Sequence, residues 1–181
     1  MCRSGVCSLL RDVSTITMSE SRVLLAFGTC EKECALPLED IQEIVLMAWL
    51  SRPPSMASIL EGFLNLRGVA IPVVSVRRMF QWRDRAPDLY SPLIILRGAG
   101  HPLALLVDYV AQVITTSGDA SLRIQTEHSF NQCAVADVAV GGRVIHLLSC
   151  DRLLTEKERQ CVREFQAVEQ QRLQDLEARP S

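Results

Sequence analysis

The apolar residues of this chain come in strand-length runs and in nothing longer. "VLLAFG" (23–28), "VAIPVVSV" (69–76) and "PLALLV" (102–107) are the clearest, and charged, glycine- or proline-containing stretches bound each of them. A run of that size crosses a sheet once and then must turn. None approaches the roughly 18 apolar residues of a membrane span, so direct membrane insertion is not expected. Turn signals recur about every 8–12 residues, the spacing of a mostly-β fold built as barrels.

The turns can be placed by residue type. In "EGFLNLRGVAIPVVSVRRMF" (61–80), Arg67 and Gly68 stand between two apolar strands and make the turn. Arg67 is either exposed by that turn or held by an acidic partner from elsewhere in the chain. Pro72 inside the second strand suggests an edge position or a bulge, because proline donates nothing to a ladder. "LIILRGAGHPLALLV" (93–107) reads as a hairpin, and Gly141–Gly142 marks another. "LEDIQEIV" (38–45) is compatible with a turn or two of helix, or with a strand burying Leu38, Ile41 and Ile44. After residue 154 the pattern changes. Thr155 and Glu158 fit a capping box, and Val162, Phe165 and Val168 give one narrow apolar stripe on an otherwise polar segment. That predicts a C-terminal α-helix docked by its first half, with a solvated tail.

The chain has 181 residues, 48% of them hydrophobic, and a net charge of −2. That is enough apolar material for one domain or for two small subdomains. No basic field attracts a polyanion, so nucleic acid is not an expected partner. The start, "MCRSGVCSLLRDVSTITMSES", lacks the apolar core and cleavage site of an export signal; it reads as a flexible arm over residues 1–21, with Met18 an alternative start. The seven cysteines include no CxxC pair, which fits reduced thiols in the cytosol. Cys30 and Cys34 have no second pair to complete a zinc site, and His101, His128 and His146 show no ligand spacing, so no metal and no cofactor is expected. Cys150 and His146 would lie about 13 Å apart on an extended strand, too far for proton transfer. No nucleophile elbow or phosphate-binding glycine loop is present. The residues suit holding partners better than turning over a substrate.

The block "GFLNLRGVAIPVVSVRRMF" (62–80) resembles the G-V-x-N-L-R-G-x-x-I-P-V-x-D-L-R-x-x-F signature of CheW-like domains, the coupling proteins of bacterial chemosensory arrays. "VLLAFGTCEKECALPLEDIQEIV", "LIILRGAGHPLALLVDYVAQVI" and "GGRVIHLLSCDRLL" resemble the family's other blocks, in the family's order, across residues 22–154. The resemblance implies two five-stranded SH3-like β-barrels side by side, the first over about residues 30–85 and the second over about 90–154, with exchange of the first strand. A C-terminal helix and tail would occupy 155–181. It also implies a non-catalytic adaptor in the cytoplasm, at membrane-associated receptor arrays. Its partners would be the tip of a methyl-accepting chemoreceptor, taken in a hydrophobic groove between the barrels, and the regulatory domain of a CheA-type histidine kinase. Carried over position by position, the receptor-binding groove falls on Ile41, Glu43, Gly62, Arg67, Leu93 and Val113, with Glu43 and Arg67 as an ion pair. For the aliphatic members, plain barrel core is the competing reading; for Arg67 it is a solvated turn. The resemblance places no kinase-contact residue. Ser75 replaces the signature's aspartate, Tyr109 and Gln112 depart from the family around "VDYV", and Ser149 and Cys150 stand where "LD" is frequent. These departures leave open a kinase-docking module for a pilus or other output without direct receptor binding. A Cys/His enzyme using Cys150 or Cys34 is the reading from a different class.

Overall fold

The computed structural model describes residues 22–30, 32–98, 101–116, 122–123 and 133–178. The expected N-terminal arm, the segment around His128 and the last three residues lie outside that set. Among the described residues there are twelve strands, β1 (Arg22–Thr29), β2 (Lys32–Pro37), β3 (Ile41–Leu46), β4 (Leu50–Ser51), β5 (Leu60–Leu66), β6 (Val69–Ser75), β7 (Pro92–Leu96), β8 (Leu103–Leu106), β9 (Tyr109–Thr116), β10 (Leu122–Arg123), β11 (Ala134–Val140) and β12 (Arg143–Leu148). A one-turn helix α1 (Val76–Met79) follows β6, and α2 (Glu156–Glu177) ends the chain.

The strands form two sheets, in the orders β10-β11-β12-β2-β1-β9 and β3-β7-β8-β6-β5-β4. Each has five strands of four residues or more, plus one strand of two residues. The fold is the expected mostly-β pair of SH3-like subdomains with a C-terminal helix. The sheets do not divide the chain at the expected boundary. β7 and β8 belong with β3–β6, so the second sheet runs unbroken from Ile41 to Leu106, while β1 and β2 cross over to join β9–β12. Two parallel pairings impose this: β6 beside β8, and β12 beside β2.

Three apolar clusters explain the strand-length runs. In β1, Leu24 and Ala26 face one cluster and Leu25 and Phe27 another. In β7, Leu93 and Ile95 face one cluster and Ile94 and Leu96 another. Each sheet therefore fills its own interior with one face, while the opposite faces meet in a shared core that holds Phe27, Leu36, Phe63, Ile94 and Leu105. A strand buried on both sides must be apolar at every position, which is why these runs show no alternation.

An ion clasp ties the two halves together. The Arg77 guanidinium in α1 grips Asp108, its Nε 2.8 Å from Oδ1, and the Cys30 backbone N–H donates to Asp108 Oδ2 at 2.9 Å. Cys30 follows β1 of the first sheet, α1 follows β6 of the second, and Asp108 lies in the crossing from β8 to β9. Burial disfavours the charged form of Asp108, but the bonds from Arg77 and Cys30 outweigh it, and its pKa lies below the usual aspartate range.

Ser75, standing where the signature has aspartate, still caps α1, its hydroxyl accepting from the Arg78 N–H at 3.4 Å. The capping box of α2 is present at Thr155 and Glu158. Val162 is buried as expected, but Val168 is exposed and the distal half of the helix is not simply solvated. β8 covers only Val73–Ser75 of β6, leaving the backbone of its first half open on that side. Two glutamines of α2 fill the gap. Gln170 accepts from the Ala70 N–H at 2.9 Å and donates to the Gly68 carbonyl at 2.8 Å, while Gln166 donates to the Ala70 carbonyl at 2.9 Å. Their amides do what a neighbouring strand would do. Pro72 is two residues from Ala70, so by the period of a strand its nitrogen faces the same open side, where no ladder partner needs its N–H.

Candidate protein-binding surface

The strands β5 and β6 are joined by a two-residue loop, closed by the Leu66–Val69 pair. Arg67 and Gly68 occupy it with φ of +55° and +83°, the left-handed pair of a type I′ turn. For Gly68 this is free; for Arg67 it costs about 1–2 kcal/mol. The Asn65 side chain accepts from the Gly68 N–H at 2.9 Å and helps hold the turn. Arg67 is thereby thrown outward, and its Nη2 lies 3.1 Å from Glu43 Oε2 on β3. Three strand spacings separate β3 from β6 in the sheet, about 14 Å if it were flat. The contact exists because the sheet curls, so the pair straps the mouth of the second subdomain. With 77% of the Arg67 side chain and 25% of the Glu43 side chain exposed, it adds about 0–1 kcal/mol.

The other candidate positions separate. Ile41 and Leu93 are buried, Leu93 completely: Ile41 in the shared core and Leu93 inside the second sheet. Both side chains are packed in apolar core. Ile41 and Glu43 stand two residues apart on one strand, a spacing that in an even pleat puts both side chains on the same face. A bulge between them prevents it: Ile41 pairs with Leu96, and Glu43 with the very next residue, Ile95. The extra residue turns Glu43 toward the second sheet's own interior, while Ile41 keeps to the shared core. Gly62 is buried at a second bulge, and a Cβ there would lie 2.7 Å from the Ser51 carbonyl oxygen. It serves close packing of β4 on β5.

Val113 is 54% exposed. It pairs with Leu25, a shared-core residue, so it lies on the face of β9 turned toward the junction of the sheets. Its counterpart entered the sequence reading only as a buried strand residue. Ile44 on β3 pairs with Ile94, also of the shared core, yet is itself exposed. β9 and β3 are the outer strands of their sheets. Ile44 and Val113 are thus apolar rims exposed on the two outer strands, while the shared core fills the space between the sheets. Two hollows, of about 370 Å³ between the β7–β8 hairpin and α2 and of about 390 Å³ between Trp49 and the end of α2, are lined by neither Glu43 nor Arg67. Ile44 was within reach of the sequence, since it follows Glu43 on an outer strand. Trp49, 84% exposed, was not singled out.

The alternative chemistry finds no support in the thiols. Burial pushes the Cys34 thiol up to about 12, and burial followed by the charge of Asp40 raises Cys150 further. Both stay protonated, the unreactive form. His146 is engaged with Asp137, Nδ1 to Oδ1 at 2.7 Å. Among the described residues no group of three or more His, Cys, Asp or Glu could hold a metal ion, and no helix is long and apolar enough to cross a membrane.

The model of the CheW-like domain matches residues 23–158. The chain belongs to the CheW-like family. A protein named chemotaxis protein CheW from Rhizobium meliloti is 25% identical over 144 residues, covering 77% of this chain and 91% of its own length. The chemotaxis protein CheW of Thermotoga maritima is 24% identical over 133 residues, 74% of this chain and 87% of that one. Among solved structures, the crystal structure of the scaffolding protein TtCheW from Thermoanaerobacter tengcongensis superposes with a TM-score of 0.66, at 22% identity, over 72% of this chain and 90% of that one. At that identity the likeness establishes the fold. The matched CheW-like region ends at residue 158, so most of α2, including both clasping glutamines, extends past it.

Proposed function

We propose that this CheW-like protein is a non-catalytic scaffold of a chemotaxis pathway that couples chemoreceptors to a CheA-type histidine kinase, in the cytoplasm at membrane-associated receptor arrays. The observation that carries the reading is the pair of exposed apolar rims, Ile44 on β3 and Val113 on β9, on the shared-core faces of the two outer strands, with Glu43 beside Ile44 and paired to Arg67 of the β5–β6 turn. A receptor helix presenting apolar residues at i, i+3 and i+4 fits between such rims. The names of the relatives, chemotaxis protein CheW and scaffolding protein TtCheW, support the same class of work.

The test is co-sedimentation with a CheA-type kinase and with receptor cytoplasmic fragments from the same organism. Val113→Asp should reduce receptor retention and leave kinase retention intact. Glu43→Arg and Arg67→Glu should each weaken receptor binding, and the double exchange should recover it. Retention by neither partner would end the adaptor reading.

A second reading, a kinase-docking module without a receptor, draws on the burial of Ile41 and Leu93, which removes two of the apolar contacts a receptor would use. Kinase retention together with complete indifference to receptor fragments would select it.

A further inference from the structure

We propose that the end of the second sheet, where Trp49 stands beside the distal half of α2, is a face on which two copies of this chain associate. The inference does not rest on receptor or kinase binding. Trp49 is the most exposed of the large apolar side chains described, and Tyr90, Leu89, Leu176 and Leu46 come next. Chain and sheet place them together. Leu46 pairs with Pro92 across β3 and β7, and the Met47 N–H donates to the Ser91 carbonyl at 2.9 Å. Trp49 therefore lies just past one side of that contact, and Leu89 and Tyr90 just before the other.

The Leu89–Tyr90 tip is a built turn. Asp88 Oδ1 accepts from the Tyr90 N–H at 2.9 Å, and the Ser91 N–H reaches the Asp88 carbonyl at 3.1 Å. On the other flank, Glu169 of α2 is buried and accepts from the Ser51 hydroxyl and from Arg172, locking the helix against β4. The result is a groove of about 390 Å³ with Trp49 on one wall and Leu173 and Leu176 on the other.

Area and shape identify the occupant. Aromatic side chains offer about 150–250 Å² each. Two of them with three leucines exceed the few hundred Å² a monomer usually leaves bare, and approach the ~800 Å² per side of a stable protein interface. The face carries both a projecting indole and a groove next to it. It also carries both signs of charge, since Arg172 and Asp175 line the same groove one helical turn apart. A surface that holds its own plug, socket and counter-charges is self-complementary, the condition for a two-fold contact. In that contact the two α2 helices cross antiparallel. Trp49 of each copy enters the other's groove, and Asp175 of each meets the other's Arg172, which keeps donors to spare after binding Glu169.

Sedimentation equilibrium of the full chain across the micromolar range tests this, with tryptophan emission as a second signal. A monomer–dimer equilibrium is expected, with a concentration-dependent blue shift. Trp49→Ser and Leu176→Glu, both at exposed positions that the fold does not need, should each weaken association about tenfold or more. Asp175→Arg, which sets like charges against each other, should weaken it and make it recover with added salt. A chain monomeric throughout overturns the proposal, as does a dimer indifferent to both Trp49→Ser and Leu176→Glu. Trp49-dependent capture of a kinase or receptor fragment by a chain that remains monomeric overturns it as well, giving the face to a different partner.

Discussion

The two sheets share an architecture and differ in how the chain builds them. The second is assembled from consecutive strands, Ile41 to Leu106, whereas the first takes two strands from the start of the domain and the rest from its end. Their surfaces differ too. The first sheet carries an ion pair, Glu33 with Arg143, and a hydrogen-bonded Asp137–His146 contact. The second leaves Leu46, Trp49, Leu89 and Tyr90 bare. The largest bare apolar side chains thus belong to the contiguous sheet, while the discontinuous one exposes smaller ones such as Val113 and Val144. The shared core and the Arg77–Asp108 clasp hold the two together.

The largest test of this contrast is Phe27→Ala. Phe27 is wholly buried in the shared core, and its loss should cost about 3–5 kcal/mol in urea unfolding, with amide exchange accelerated in both sheets. Ile145→Val, confined to the first sheet's own cluster, should cost only about 1 kcal/mol and leave exchange in β5–β8 unchanged. Equal effects of the two on both sheets would erase the distinction.

Asp108→Asn comes next, at about 2 kcal/mol for a charge-assisted bond. The carboxylate's folded pKa is depressed. Its stabilisation is therefore full above the ordinary aspartate value near ~4 and disappears as pH falls through the folded value. The variant should be less stable at neutral pH and show a flatter acid limb, a difference that urea midpoints measured down the pH scale would reveal.

Gln170→Ala leaves the Ala70 N–H and the Gly68 carbonyl without their partner. It should lower stability by about 1–2 kcal/mol and speed exchange of the Ala70 amide alone in β6. Arg67→Glu is smallest, changing stability by less than about 1 kcal/mol, so any large loss of receptor retention reports binding and not unfolding.

Much of the fold was legible because its signals are local. Gly141 and Gly142 adopt positive φ at a hairpin, as do Arg67 and Gly68, and the residue pattern at 155 and 158 is enough to start α2. The partition of the chain was not legible, since it depends on parallel pairings between strands far apart in sequence, which leave no periodic trace. The site was half legible. Matching positions put Glu43 opposite Arg67, but counting residues along a strand presumes an even pleat, and one inserted residue reverses which way Glu43 faces. The docking of the second half of α2 was invisible to hydropathy. Amides bonded to backbone look like solvated glutamines, and only their i, i+4 spacing at 166 and 170 hints at a common target.

That glutamine contact makes the last helix a handle. Its grip is on the main chain of β6, and the Gly68 carbonyl it holds belongs to the turn that aims Arg67. Tension applied to the C-terminus would therefore be delivered to the arginine strap itself, through the single side-chain amide of Gln170.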